Sequence, residues 1–90
     1  MKDILVTGAY GGMGRAAVQA LQKCGFRVFA LDRKVGETVE NIIPVEADIT
    51  SDESVISALK TVRTYTDSLY AVVHFAGIYM LDSLVEMNNI

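Results

Sequence analysis

The chain has 90 residues, 51% hydrophobic and 21% charged, with a net charge of −3, which suits one small core and leaves no electrostatic footprint for nucleic acid. One cysteine, Cys24, and no cluster at metal-ligand spacing argue against a disulfide scaffold or a metal site. No apolar run approaches a membrane span and Met1-Lys2-Asp3 leads into a strand without a signal-peptide core, so a cytoplasmic protein with no membrane or nucleic-acid partner is expected.

Lys2 to Val6, KDILV, reads as a strand whose apolar end enters the run Thr7-Gly8-Ala9-Tyr10-Gly11-Gly12-Met13-Gly14. Beyond it Met13, Ala16, Ala17, Ala20, Leu21 and Cys24 recur at helical spacing, which predicts a helix with that stripe inward and Cys24 as a buried thiol. Strand, glycine loop and helix in succession form the setting that holds a dinucleotide pyrophosphate. Phosphates there approach the main chain closely, and the helix start turns unpaired N–H groups and the positive end of its dipole toward the anion. Spacing singles out Gly8, Gly12 and Gly14, with Gly11 a further small residue of open role and Met13 also a candidate cofactor-binding position. An ordinary Gly-rich turn fits the loop taken alone.

Gly25 stops the helix, and Arg27 to Leu31, RVFAL, reads as a second strand ending in Asp32. A carboxylate there lies where the adenosine ribose hydroxyls sit, about twenty residues past the glycines. It accepts from two hydroxyls and repels a 2′-phosphate, which favours NAD, with NADP as the alternative. Arg33 stacks on the base, reaches a 2′-phosphate, or is a solvated loop cation. Lys34 to Asn41 is the most polar stretch and forms the loop bordering the adenosine end.

Ile42 to Glu46 predicts a third strand, with Pro44 tolerated best near an edge. Asp48 and Ile49 follow it. An acid at that strand end accepts from the adenine amine; equally, Asp48 belongs to the start of a helix capped by Thr50 or Ser51, with acids in its first turn. That helix, Asp52 to Thr64, has Val55, Ile56, Leu59 and Val62 as its buried stripe. Leu69 to Phe75, LYAVVHF, reads as a central parallel strand covered on both faces, leading to Ala76 and Gly77. His74, the only histidine, is expected to be held by backbone hydrogen bonds at the strand end. Met80, Leu81, Leu84, Val85 and Met87 are assigned to core packing, and Asp82 to Ile90 reads as the opening of a third helix.

TGAYGGMG, LDR, ADIT and HFAGI, in this order and spacing, resemble the amino-terminal half of the short-chain dehydrogenase/reductase family, over the whole chain. The resemblance implies a Rossmann-type doubly wound parallel sheet, of which about four strands, two helices and a helix stub are present. It implies a nicotinamide dinucleotide cofactor: pyrophosphate at Gly8, Gly12 and Gly14, ribose at Asp32, adenine at Asp48 with Ile49, and Ala76 with Gly77 lining the cleft. Two departures stand beside it. The family's single-domain branch shows Asn-Asn-Ala-Gly where this chain has His74-Phe75-Ala76-Gly77, and the loop also fits the spacing of the larger sugar-nucleotide-modifying branch. Ile78 to Leu84 resembles the single-domain branch, which is preferred.

The family's chemistry is hydride transfer between a nicotinamide and an alcohol or carbonyl of a small-molecule substrate, with a tyrosine followed by lysine at the fourth position and a preceding serine. Tyr10, Tyr65, Tyr70 and Tyr79 all lack that lysine, so no catalytic residue is assigned. The chain reads as the first part of one NAD(P)-binding domain, truncated before the catalytic half. A polypeptide this short would not run the family's reaction by the family's mechanism. A non-catalytic nucleotide-binding module and the cofactor half of a nucleotide-sugar epimerase or dehydratase are the alternatives. Without a second half, the Leu69 to Phe75 strand would be an apolar edge, which predicts self-association and a homo-oligomer.

Overall fold

The computed structural model describes residues 1–75; Ala76, Gly77 and the helix expected from Asp82 lie outside the described residues. Strand β1 spans Asp3–Thr7, helix α1 Gly12–Lys23, β2 Arg27–Asp32, β3 Ile42–Glu46, helix α2 Asp52–Arg63 and β4 Ala71–His74. All pairings between these strands are parallel, in the order β3-β2-β1-β4. The chain therefore steps outward from β1 through β2 to β3, then returns to the other side of β1. This is the doubly wound arrangement expected from alternating strands and helices. Pro44 has no N–H to donate and sits on β3, which has one hydrogen-bonded neighbour in the sheet.

Alternate residues of the strands face opposite layers. Leu5, Phe29, Leu31 and Val45 pack with Val55, Ala58, Leu59 and Val62 of α2. On the other side Ile4, Val6, Val28, Ala30 and Ile42 pack with Val18 of α1. Burying a side chain such as Leu5 or Phe29, each fully inaccessible, contributes about 2–3 kcal/mol. Ala58 takes an inward position that the expected stripe of α2 had given to Ile56, which is half-buried. Ser51 caps α2 by accepting from the Ser54 N–H at 3.2 Å, with Asp52 and Glu53 in the first turn and Lys60 and Arg63 in the last.

The rotation of α1 corrects the expected stripe. Gly14 and Val18 are buried, whereas Met13, Ala16, Ala20 and Cys24 are exposed. The cause is Gly14, where an added Cβ would land on the Gly8 carbonyl, 2.8 Å from its carbon and 2.9 Å from Ala9 Cα. So close an approach turns the line Gly14, Val18, Leu21 toward the sheet. Cys24 is an exposed C-cap residue, its N–H donating to the Ala20 and Leu21 carbonyls, and the expected buried thiol is not found.

Strand β4 holds the edge position expected without a second half and departs from expectation in length and burial. It is shorter than Leu69 to Phe75, lies at the edge of the described sheet, and has no buried residue. Val72 is 43% exposed and Phe75 38%, so coverage on both faces is absent among the described residues. An unpaired apolar edge templates strand addition. The isolated 90-residue chain should therefore show a mass by light scattering that rises with concentration, and a constant monomeric mass would contradict this.

At the amino end of the sheet Arg27 grips Asp3 with Nε on Oδ1 at 2.7 Å and Nη2 on Oδ2 at 3.0 Å, and Nη2 also donates to the Tyr65 carbonyl at 3.2 Å. The Arg27 guanidinium beside it holds the buried Asp3 carboxyl below the usual carboxylate range. With the folded pKa below the unfolded value, the pair contributes fully above pH ~4 and its contribution is lost as pH falls through the folded value. Asp3→Asn should lower stability at pH 7 by roughly 1–3 kcal/mol and should flatten the acid limb of the stability profile. Urea unfolding at pH 7 and pH 3 checks this; parallel losses in both proteins would contradict it.

Candidate dinucleotide-binding site

The site is assembled at the carboxyl ends of β1 and β2, beside the point between β1 and β4 where chain order reverses. Gly8 turns the chain out of β1 with φ +64°, a left-handed conformation that favours glycine, and its carbonyl accepts from the Gly11 N–H at 3.4 Å. Helix α1 then starts at Gly12 with Gly11 as its N-cap, no side-chain cap and no acid in the first turn. The contrast with Ser51-capped α2 is direct: the first amides of α1 lack intrahelical partners and its dipole end is not neutralised. A Cβ at Gly12 would meet nothing within 4 Å, so the fold leaves open space in front of that main chain. Met13 is 75% exposed beside it.

Asp32 closes the loop from below. Its Oδ2 accepts from the Tyr10 N–H at 2.9 Å and its Oδ1 from the Arg33 N–H at 2.7 Å, while the Ala9 N–H donates to the Leu31 carbonyl at 3.2 Å. The end of β2 and the glycine loop thus hold each other in register. A cleft of about 820 Å³ opens here, lined by Tyr10, Gly11, Arg15, Asp32, Arg33, Lys34, Val35 and Gly36. Arg15, Arg33 and Lys34 bring positive charge around the Asp32 carboxylate, an arrangement suited to a polyanion that also carries hydroxyl groups.

Of the candidates from sequence, Gly11, Asp32 and Arg33 share this cleft; Gly8 and Gly14 support it through the main chain. Asp48 and Ile49 do not line it. Asp48 Oδ1 accepts from the Thr50 N–H at 2.9 Å and the Thr50 hydroxyl at 2.7 Å, which hold its carboxyl below the usual range, and its own N–H donates to Ser54 Oγ. Asp48 thus organises the start of α2, and Ile49 packs partly buried against the α2 core. Arg15 and Tyr10 went unrecognised as cleft residues, the signal for Arg15 being a cation one residue past the glycines; Lys34 opens the polar loop expected to border the adenosine end.

His74 differs from expectation. Its Nδ1 is hydrogen-bonded to a side chain, Thr7 Oγ1, at 2.8 Å, rather than to backbone, and its Nε2 is buried without a partner among the described residues. Among the described residues no group of acids, His and Cys could hold a metal, and no helix is long and apolar enough to cross a membrane.

A parallel sheet that reverses order at β1, an uncapped helix start at the reversal and a carboxylate at the end of β2 define a Rossmann-type dinucleotide-binding fold. Comparison with known proteins narrows the class. The family model described as short chain dehydrogenase matches residues 2–89. Dehydrogenase/reductase SDR family member 11 of Bos taurus is 30% identical over 94 residues, covering 91% of this chain and 37% of that protein. The 3-amino-tetrahydro-pyrrolizinone reductase of Xenorhabdus hominickii is 38% identical over 84 residues, covering 86% and 29%. Among solved structures, a short chain dehydrogenase family protein from Francisella tularensis superposes with TM-score 0.75 at 29% identity, covering 87% of this chain and 32% of that one. The 3-ketoacyl-(acyl-carrier-protein) reductase from Brucella melitensis, solved with NADH, gives TM-score 0.71 at 26% identity, covering 79% and 32%. This chain belongs to the short-chain dehydrogenase family and carries its dinucleotide-binding portion. It spans about a third of the length of these relatives.

Proposed function

We propose that the chain binds NAD as the first part of one dinucleotide-binding domain in an oxidoreductase that moves a hydride between the cofactor and an alcohol or carbonyl of a small-molecule substrate. The observation that carries this reading is the uncapped start of α1, with open space before Gly12 and the Asp32 carboxylate across the same loop. Gly8, Gly11, Gly12, Met13 and Gly14 would present main-chain amides to the pyrophosphate, and Asp32 would accept from the adenosine ribose. Arg33 would lie along the base, and, as the resemblance implies, Asp48 with Ile49 would touch the adenine. On the resemblance alone, Ala76 and Gly77 would line the cleft. When bound, the nicotinamide supplies or accepts the hydride. We place the protein in the cytoplasm as a homo-oligomer.

Support comes from the relatives, named as dehydrogenases and reductases, and from the NADH held by one structural neighbour. NADP is the second reading, favoured by Arg15, Arg33 and Lys34 in the cleft. A fixed carboxylate opposes it, since a 2′-phosphate beside Asp32 places like charges together. Calorimetric titration of the natural protein should show tighter binding of NAD than of NADP. A preference for NADP would overturn the role given to Asp32, and no binding of either would overturn the whole proposal.

A further inference from the structure

The described residues leave two side-chain polar atoms buried without a hydrogen-bond partner, Tyr10 Oη within the glycine loop and His74 Nε2 beside its start. Buried polar groups are nearly always satisfied, so an orphan asks what partner is missing. Tyr10 is the more informative. Its N–H is fixed on Asp32, it lines the cleft with Arg15, Arg33 and Lys34, and it packs partly buried against the α1 side of the core. Phenylalanine would supply the same packing with no hydroxyl to desolvate, so the oxygen serves something other than the core.

We propose that the Tyr10 hydroxyl is a ligand-binding donor of the adenosine site, satisfied when the nucleotide supplies an acceptor. The inference rests on the reading of the cleft given above. Gly36 packs on the hydroxyl-bearing edge of the ring: a Cβ there would lie 3.1 Å from Cε1 and 3.8 Å from Oη. Lacking that atom, Gly36 leaves space at that edge, and a change in the Tyr10 χ1 torsion would carry the oxygen toward the cleft. A phenol donates to a ribose oxygen, an adenine ring nitrogen or a 2′-phosphate alike. The common chemistry is an acceptor on the adenosine moiety, and titration with both dinucleotides separates the last source from the first two.

The test compares wild-type protein with Tyr10→Phe, measuring the thermal midpoint without ligand and calorimetric affinities for NAD and NADP. The unliganded midpoint of Tyr10→Phe should be unchanged or higher, because an unpaired buried donor is removed. Affinity should fall about tenfold for the dinucleotide that wild-type protein prefers. A loss confined to NADP assigns the acceptor to the 2′-phosphate; a loss shared by both assigns it to ribose or adenine. Unchanged affinity overturns the proposal while leaving the cofactor reading intact. A lowered midpoint also overturns it, since the hydroxyl would then already have a partner in the fold. Absence of binding by wild-type protein overturns the cofactor reading itself.

Discussion

Gly14→Ala is expected to destabilise the fold by roughly 3 kcal/mol or more, at the upper end of what overpacking costs. The new methyl would fall on the Gly8 carbonyl and crowd Ala9 Cα, which are main-chain atoms at the end of β1 and cannot swing aside as a side chain can. Helix α1 would have to lift from the sheet, taking Val18 out of the cluster around Val6 and Val28. Gly12→Ala provides the contrast. Its methyl meets nothing in the protein, so stability should change by less than about 1 kcal/mol, with the helix propensity of alanine in its favour. Dinucleotide affinity should nonetheless fall at least about tenfold, because the methyl stands where a phosphate would approach. Urea unfolding and calorimetry on both variants separate the roles. A Gly14→Ala protein as stable as wild type would refute the helix placement, and a Gly12→Ala protein with full affinity would refute the phosphate position.

Asp32→Ala is expected to weaken NAD by about ten- to a hundredfold while NADP loses less, so the ratio of the two affinities narrows or reverses. One cause is direct: charged acceptors for the ribose hydroxyls disappear. The other acts through the loop, where the Tyr10 and Arg33 N–H groups lose the carboxylate that fixes them. Asp32→Asn keeps one acceptor oxygen and the size of the side chain, so it should retain more NAD affinity than the alanine variant while tolerating a 2′-phosphate better. Titration of the three proteins with both dinucleotides decides the matter. An unchanged preference in both variants would show that discrimination comes from Arg15, Arg33 and Lys34 instead.

Much of the architecture was legible in the sequence because period and punctuation agreed. β3 and the start of α2 fall where Ile42 to Glu46 and the Thr50-Ser51 pair put them, and Asp32 closes β2 as its spacing required. The phase of α1 was not legible. Met13, Ala16, Ala20 and Cys24 are as regularly spaced as the true inward line, and only the contact of Gly14 with Gly8, a long-range steric fact, selects between them. β4 misled for a related reason. An apolar run reports that a strand suits burial on both faces, but the covering layers must come from elsewhere, and the described residues do not include them. At the site, Asp48 had two reasonable roles, and its hydrogen bonds to Thr50 and Ser54 account for the one at the start of α2. Arg15 became visible only when the loop after β2 was seen to meet the start of α1 around one cleft.

The close seat of Gly14 on Gly8 has a thermodynamic corollary. Because backbone abuts backbone there, the azimuth of α1 is settled before any nucleotide arrives, and the amides at its start are already aimed. Association then orders few torsions at the diphosphate end, so little of the gross interaction energy is spent on freezing the receptor. Entropic penalties should concentrate instead at the adenosine end, where long flexible cations must come to rest.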